Sequence, residues 1–182
     1  MQSLLDQSDL TNLAERLVAA ARRAGADQAD ALAVRSVSLT VAVRDGAVEE
    51  SERSEGDDLG LRVIVGHKQA VVSTNDLKGG SFDALAERAV AMARAAPNDP
   101  FAGLADASQL AREMPALDLL DPDMPDVTML EAHAREAEAA GLAVRGVTKS
   151  GGASASAGIG GLVLVTSHGF TVPRLRRVTG SR

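Results

Sequence analysis

Cysteine, tryptophan and tyrosine are missing from these 182 residues, and three phenylalanines leave the aromatic content at 2%. Without cysteine the chain can form no disulfide and no thiolate metal site of its own. Without Trp or Tyr there is no platform of rings on which unpaired bases could stack. Positive charge is also in short supply: 19 Lys and Arg face 25 Asp and Glu, a net charge of −6, so nucleic-acid binding is not expected as a main activity. No apolar run approaches the ~20 residues that cross a bilayer, and the opening MQSLLDQSDL lacks the basic start and apolar core of a signal peptide. The expectation is a cytoplasmic protein with no membrane partner. A chain of this length buries roughly 70% of its unfolded surface, enough for one domain with an appendage or for two small domains.

What is present is a regular strand pattern. Leu39, Val41 and Val43 alternate with Thr40, Ala42 and Arg44, the period-two signature of a strand with one buried face. Asp45-Gly46 follows at once, and that pair accepts the positive φ angles of a type I′ turn, so Ala47 to Arg53 should return antiparallel. Leu59, Leu61, Val63 and Val65 alternate again, Gly66-His67-Lys68 supplies a second turn, and Ala70 to Thr74 reads as the returning strand. Glu49 to Asp58 reads as a solvated strand end plus loop, with Gly56 and Gly60 available for unusual backbone angles.

Helices flank this meander. Leu10, Leu13, Leu17 and Ala21 recur at helical spacing, with Ser8 or Asp9 as N-cap and Gly25 as a left-handed C-terminal stop. Ser81 caps a second helix to about Ala96, with Phe82, Leu85, Ala89 and Met92 facing inward and Pro97 ending it. The expected fold class is α+β: an antiparallel meander sheet packed by two helices in a two-layer sandwich over residues 1–96. Residues 97–126 hold five of the six prolines (Pro97, Pro100, Pro115, Pro122, Pro125) and read as a connecting arm. Residues 127–170 read as a third helix, capped by Asp126 and stopped by Gly141, followed by two apolar strands, Leu142 to Thr148 and Ile159 to Thr166, in a hairpin-like extension. The Gly/Ser/Ala segment Ser150 to Gly158 between them suits either a flexible loop or a thin strand. Residues 171–182 form a basic tail.

The order Arg44-x-Gly46-x-Val48-Glu49, Asp58-x-Gly60-Leu61-Arg62-Val63, Gly66 and Ser73-Thr74-Asn75-Asp76 resembles the N-terminal domain of the TldD/PmbA family. The turn Pro97-x-Asp99-Pro100-Phe101-Ala102-Gly103-Leu104-Ala105, the segment Leu117-Asp118-Leu119-x-Asp121-Pro122 and Thr166-Ser167-His168-Gly169-Phe170 look like its PmbA (TldE) branch. The resemblance runs from about Leu10 to Phe170, and its specificity lies in the order and spacing of the pieces. It implies intracellular proteolysis: metallopeptidase-like TldD–TldE pairs that trim peptide precursors and degrade unfolded chains, historically called modulators of DNA gyrase. In that family a His-Glu-x-x-x-His helix and a further cysteine of the TldD partner hold zinc, in the C-terminal half. Beyond Phe170 the family continues into a long β-rich domain, whereas here TVPRLRRVTGSR follows, with Arg174, Arg176, Arg177 and Arg182 and no acid. A truncated or frameshifted product is the expectation, with a genuine tail that binds acidic surfaces as the alternative.

The residues at hand supply no catalytic, cofactor or metal site on this reading. A zinc site needs three converging protein ligands, and the histidines are His67 in a turn, His133 on the third helix and His168 before Gly169. His133 and Glu136 share a helix face at a spacing that serves metals in bundles, but a solvated i,i+3 contact is the simpler reading. His168 stands out because its turn leads, in the family, toward the C-terminal domain. Ser150, Ser154, Ser156 and Ser167 stand in no nucleophile elbow, and the glycines spell no phosphate loop. The acids Glu49, Glu50, Glu52, Glu55, Asp57 and Asp58 lack the ligand spacing of a calcium loop.

Two function classes follow. The first is the N-terminal part of a PmbA/TldE-type subunit, acting as scaffold or as partner- or peptide-binding surface, with a TldD-type subunit or a homo-oligomer as partner and peptide or unfolded protein as substrate. The second is a stand-alone, non-enzymatic interaction module that uses an exposed sheet edge.

Overall fold

Helix α1, Ser8–Arg23, buries Leu10, Ala14, Leu17, Val18, Ala20 and Ala21 along one stripe. The computed structural model describes residues 7–77, 80–113, 115, 117–121 and 123–181, so the expectations for the first six residues, Pro122 and Arg182 lie outside the described residues. The helix begins one residue after Gln7 and neither Ser8 nor Asp9 serves as N-cap. Its far end closes as foreseen: Gly25 at φ +97° lets its own N–H reach the carbonyl of Arg22 at 3.1 Å and that of Ala26 reach Ala21 at 3.0 Å. This paired closure satisfies carbonyls that a helix end otherwise leaves open.

Five strands follow the order β3-β2-β1-β4-β5 in one sheet: β1 Gln28–Arg44, β2 Ala47–Val65, β3 Lys68–Thr74, β4 Ala153–Thr166 and β5 Thr171–Ser181. The α+β class with an antiparallel meander and helical cover holds. The β1–β2 turn has Asp45 at φ 51° and Gly46 at φ 72°, the two positive angles that Asp-Gly permits. Strands β2 and β3 pair antiparallel from Leu59↔Thr74 to Val65↔Lys68. Strand β4 runs antiparallel to β1, since Gly152 lies against Val43, Gly158 against Val37, and Ser167, just past β4, is bonded to Ala29.

Two strands are longer than their apolar alternation indicates. The first starts at Gln28 rather than Leu39, because its inward positions Ala29, Ala31 and Ala33, all fully buried, carry too little side chain to mark a strand. The second continues through Glu49 to Asp58, where a loop was expected. Pairing of its backbone along one edge holds that stretch extended although its side chains are solvated.

Two compact units share these strands and interleave along the chain. The first comprises residues 1–35, 56–117 and 161–174. Its core joins α1 and helix α2, Phe82–Ala95, to the sheet face of Ala29, Ala31, Ala33, Leu59, Leu61, Val63, Val163 and Val165. Ser81 sits at the N-cap position without donating or accepting a side-chain cap, and Met92, expected inward, is 46% exposed while Val90 and Ala93 are buried. Alanines on both sides (Ala14, Ala21, Ala86, Ala89, Ala93) let helices and sheet approach closely. Arg16 lies 5.4 Å from the centre of the Phe82 ring, a cation–π contact between the two helices. Two ion pairs cross strands β1 and β2: Arg35–Asp57 at 2.8 Å and Arg62–Asp30 at 2.5 Å.

The second unit comprises residues 36–55, 118–160 and 175–182. Helix α3, Val127–Leu142, starts at Asp126, whose carboxylate accepts the Met129 N–H at 2.8 Å. Leu130 and Ala134 pack on Val41, Val43, Ala155 and Ala157. Gly141 lies inside the helix rather than ending it, and Leu142 to Thr148 turns instead of forming a strand, with Val144 58% and Val147 42% exposed. The Gly/Ser/Ala segment is strand from Ala153, its alternation set by buried Ala155, Ala157 and Ile159.

Candidate functional site

The polar centre of the second unit is a carboxylate that sequence reasoning missed. Leu130, Ala134 and Glu138 stand four apart on α3, so one helical stripe carries them all inward, and Glu138 is 5% exposed. Its two oxygens accept the backbone N–H groups of Asp45 at 3.0 Å and Gly46 at 2.8 Å, in the β1–β2 turn. Ser150 donates a hydrogen bond to the same carboxylate and accepts one from the Gly152 N–H at 2.9 Å. The Ser150 bond first, then the Gly46 and Asp45 amides and the nearby Arg135 charge, hold Glu138 below the ordinary carboxylate value of 4.5 against the opposing effect of burial.

This arrangement favours the anionic form of Glu138 and bonds both of its oxygens, which suits a structural clamp. It fastens α3, the β1–β2 turn and the segment before β4 to one another. The four-residue spacing of Leu130, Ala134 and Glu138 was the signal available in the sequence.

An open cleft of about 630 Å³ lies between α3 and strands β4 and β5. Its lining gathers His133 and Glu136 from α3, Ser156 from β4 and Arg177 from β5. The Arg177 guanidinium pairs with Asp121 and donates to the Asp123 carbonyl at 2.6 Å, while its backbone N–H donates to the Leu119 carbonyl at 2.8 Å. The basic tail is therefore an ordered strand tied to the arm. A smaller cavity of about 350 Å³ borders the clamp, lined by Leu142, Val144, Val147 and Ala153.

The remaining candidates do not converge. His67 sits in the β2–β3 turn, its carbonyl accepting the Asp99 N–H at 2.7 Å, and His168 is exposed in the β4–β5 turn. His133 and Glu136 are both exposed, and the ion pair formed along α3 is Glu131–Arg135 at 2.6 Å. Ser167 tethers its turn to β1, exchanging bonds with Ala29 at 2.8 and 3.1 Å. Ser154 and Ser156 alternate with buried alanines on β4. Of the acids, Glu49 pairs with Arg44, Glu55 with Arg53 and Asp57 with Arg35. Among the described residues no three His, Cys, Asp or Glu are grouped to hold a metal ion. No described helix is long and apolar enough to cross a membrane.

The residues of the family motif are used structurally. Arg62 forks onto Asp30, Asp99 accepts the Phe101 N–H at 2.9 Å, and the Leu104 N–H donates to the Gln28 side chain at 2.8 Å. Phe170 donates its N–H to Thr166 Oγ1 at 3.1 Å, closing the turn around Gly169 at φ 84°.

Comparison with known proteins agrees with that pattern. Residues 29–93 match the family domain described as PmbA/TldA metallopeptidase domain 1. The metalloprotease PmbA of Escherichia coli O157:H7 is 30% identical over 145 residues, 79% of this chain and 32% of that protein. The PmbA homolog of Haemophilus influenzae is 30% identical over 165 residues, 90% of this chain and 36% of that protein. The chain thus spans about a third of the length of these relatives. Among solved structures, a Bacteroides thetaiotaomicron protein assigned as a modulator of DNA gyrase superposes with a TM-score of 0.85 at 20% identity, over 96% of this chain and 40% of that one. TldE from Thermococcus kodakarensis gives 0.73 at 14% identity, over 92% and 37%, a likeness of fold. By its first domain and by the PmbA relatives aligned along most of its length, the chain belongs to the TldD/PmbA family, on the PmbA branch.

Proposed function

We propose that this chain is the first-domain portion of a PmbA/TldE-type subunit and serves a metallopeptidase assembly as scaffold rather than as catalyst. The match of residues 29–93 to the family's first domain carries the reading. Hydrolysis belongs, on this reading, to zinc held by a TldD-type partner, and the substrate is peptide or unfolded protein in the cytoplasm. The fully bonded Glu138 clamp and the cross-strand pairs support a rigid platform, because each ties neighbouring elements without leaving a reactive group free.

Co-expression with a TldD-type subunit from the same genome tests this. The tagged chain should retain that subunit on an affinity column, zinc should be found in proportion to the partner, and hydrolysis of an unstructured peptide should require it. Retention of zinc and peptidase activity by the 182-residue chain alone would overturn the reading.

A further inference from the structure

We propose that the outer edge of β2 over Ala47–Glu55 is a docking surface for an extended, basic polypeptide segment that adds to the sheet as a further strand. The proposal concerns this edge and goes beyond the scaffold role.

Strand β2 has β1 on one side and β3 on the other, but β3 reaches no further than Leu59. From Ala47 to Glu55 the β3 side of β2 faces no described strand, and every one of these residues is exposed. No loop or turn bonds to this backbone among the described hydrogen bonds. In such an edge alternate residues aim both N–H and C=O outward, unpaired except by water, which is the template that strand addition uses.

Charge selects the occupant. Glu49, Glu50, Glu52 and Glu55 stand against Arg53 in this stretch. Glu49 is paired with Arg44 at 3.1 Å and Glu55 with Arg53 at 2.5 Å, whereas Glu50 and Glu52 have no cationic partner among the described residues. With a period of two, Val48, Glu50 and Glu52 share one face, and Val48 is 43% exposed. The matching strand carries one apolar residue and two lysines or arginines at alternate positions. A second copy laid β2 to β2 would set carboxylates side by side, which is unfavourable. The chain's own basic strand, β5, is engaged at its edge, with the Arg177 N–H on Leu119 and its guanidinium on Asp121. The occupant that this charge pattern fits is a basic segment of a partner polypeptide.

Fluorescence anisotropy of a labelled ten-residue peptide alternating Lys with Thr and Val, titrated with the intact 182-residue chain, tests the inference. Saturable binding is expected, with slower amide exchange over Ala47–Glu55. The exposed double substitution Glu50→Lys/Glu52→Lys should weaken it about tenfold. The same peptide N-methylated at alternate amides keeps its charge but loses its outward N–H groups, and should not bind. Equal binding by the N-methylated peptide would reduce the interaction to charge adsorption and overturn the proposal. So would absence of binding, or a concentration-dependent dimer in sedimentation that the double substitution abolishes, since that places a second copy on the edge.

Discussion

Gly46 donates its backbone N–H to the Glu138 carboxylate at 2.8 Å, joining a hairpin tip to a helix 92 positions away in sequence. Removing the acceptor leaves two amides in the turn without their partner. Glu138→Ala should lower the melting temperature by several degrees, with Glu138→Gln between it and the parent because one amide bond survives. Amide exchange at Asp45 and Gly46 should quicken in both variants. Unchanged exchange there would refute the clamp.

The same carboxylate makes stability depend on acid. Its folded pKa lies below the ordinary 4.5, with the Ser150 bond as the leading cause, so the unfolded chain binds the proton more readily. The contribution is complete above the unfolded value and is lost as pH falls through the lowered folded one. Parent and Glu138→Gln melting curves should therefore converge as pH drops below about 4.5, and separate toward neutrality. A constant separation across that window would contradict the assignment.

Arg62 forks onto Asp30 with contacts of 3.1 and 2.5 Å, and the Asp30 side chain is 16% exposed. Hydrogen bonding to Asp30 raises the arginine pKa further above its usual range, so the cation is permanent. Asp30→Asn should cost about 1–2 kcal/mol in urea unfolding, since one charge then remains half-buried without its counterion. Arg62→Lys should lose less, keeping the charge and giving up the two-pronged geometry. A parent-like stability for Arg62→Lys would mean the fork carries no weight beyond its charge.

A Cβ built on Gly158 would stand 3.1 Å from the Val37 carbonyl oxygen, whereas one on Gly56 meets nothing within 4 Å. Strand propensity alone favours valine at either site by under about 1 kcal/mol. At Gly158 the clash should win, so Gly158→Val costs about 1–3 kcal/mol while Gly56→Ala stays within roughly 0.5 kcal/mol of the parent. Chemical denaturation of both variants decides it.

Features written in local chemistry were legible in the sequence. Asp45-Gly46 specified its own turn, Gly25 its helix end and Asp126 its cap, because each depends on residues within a few positions. Features set by distant partners were not. Alanines at 29, 31 and 33 look unlike a strand until helices that approach closely are placed over them. Leu142 to Thr148 looks like a strand, yet Gly146 at φ 96° turns it and no neighbour pairs with it in the described sheet. Burial of Glu138 is not written in local chemistry, because a carboxylate is buried only when donors arrive from elsewhere.

The chain crosses between its two compact units at 35/36, 55/56, 117/118, 160/161 and 174/175, and four of these crossings fall inside strands β1, β2, β4 and β5. Neither unit can therefore be subcloned by itself: excising either one severs strands β1, β2, β4 and β5. The stretch 29–93 that marks the family includes pieces of both units, so neither unit by itself carries the whole of the family's first-domain match.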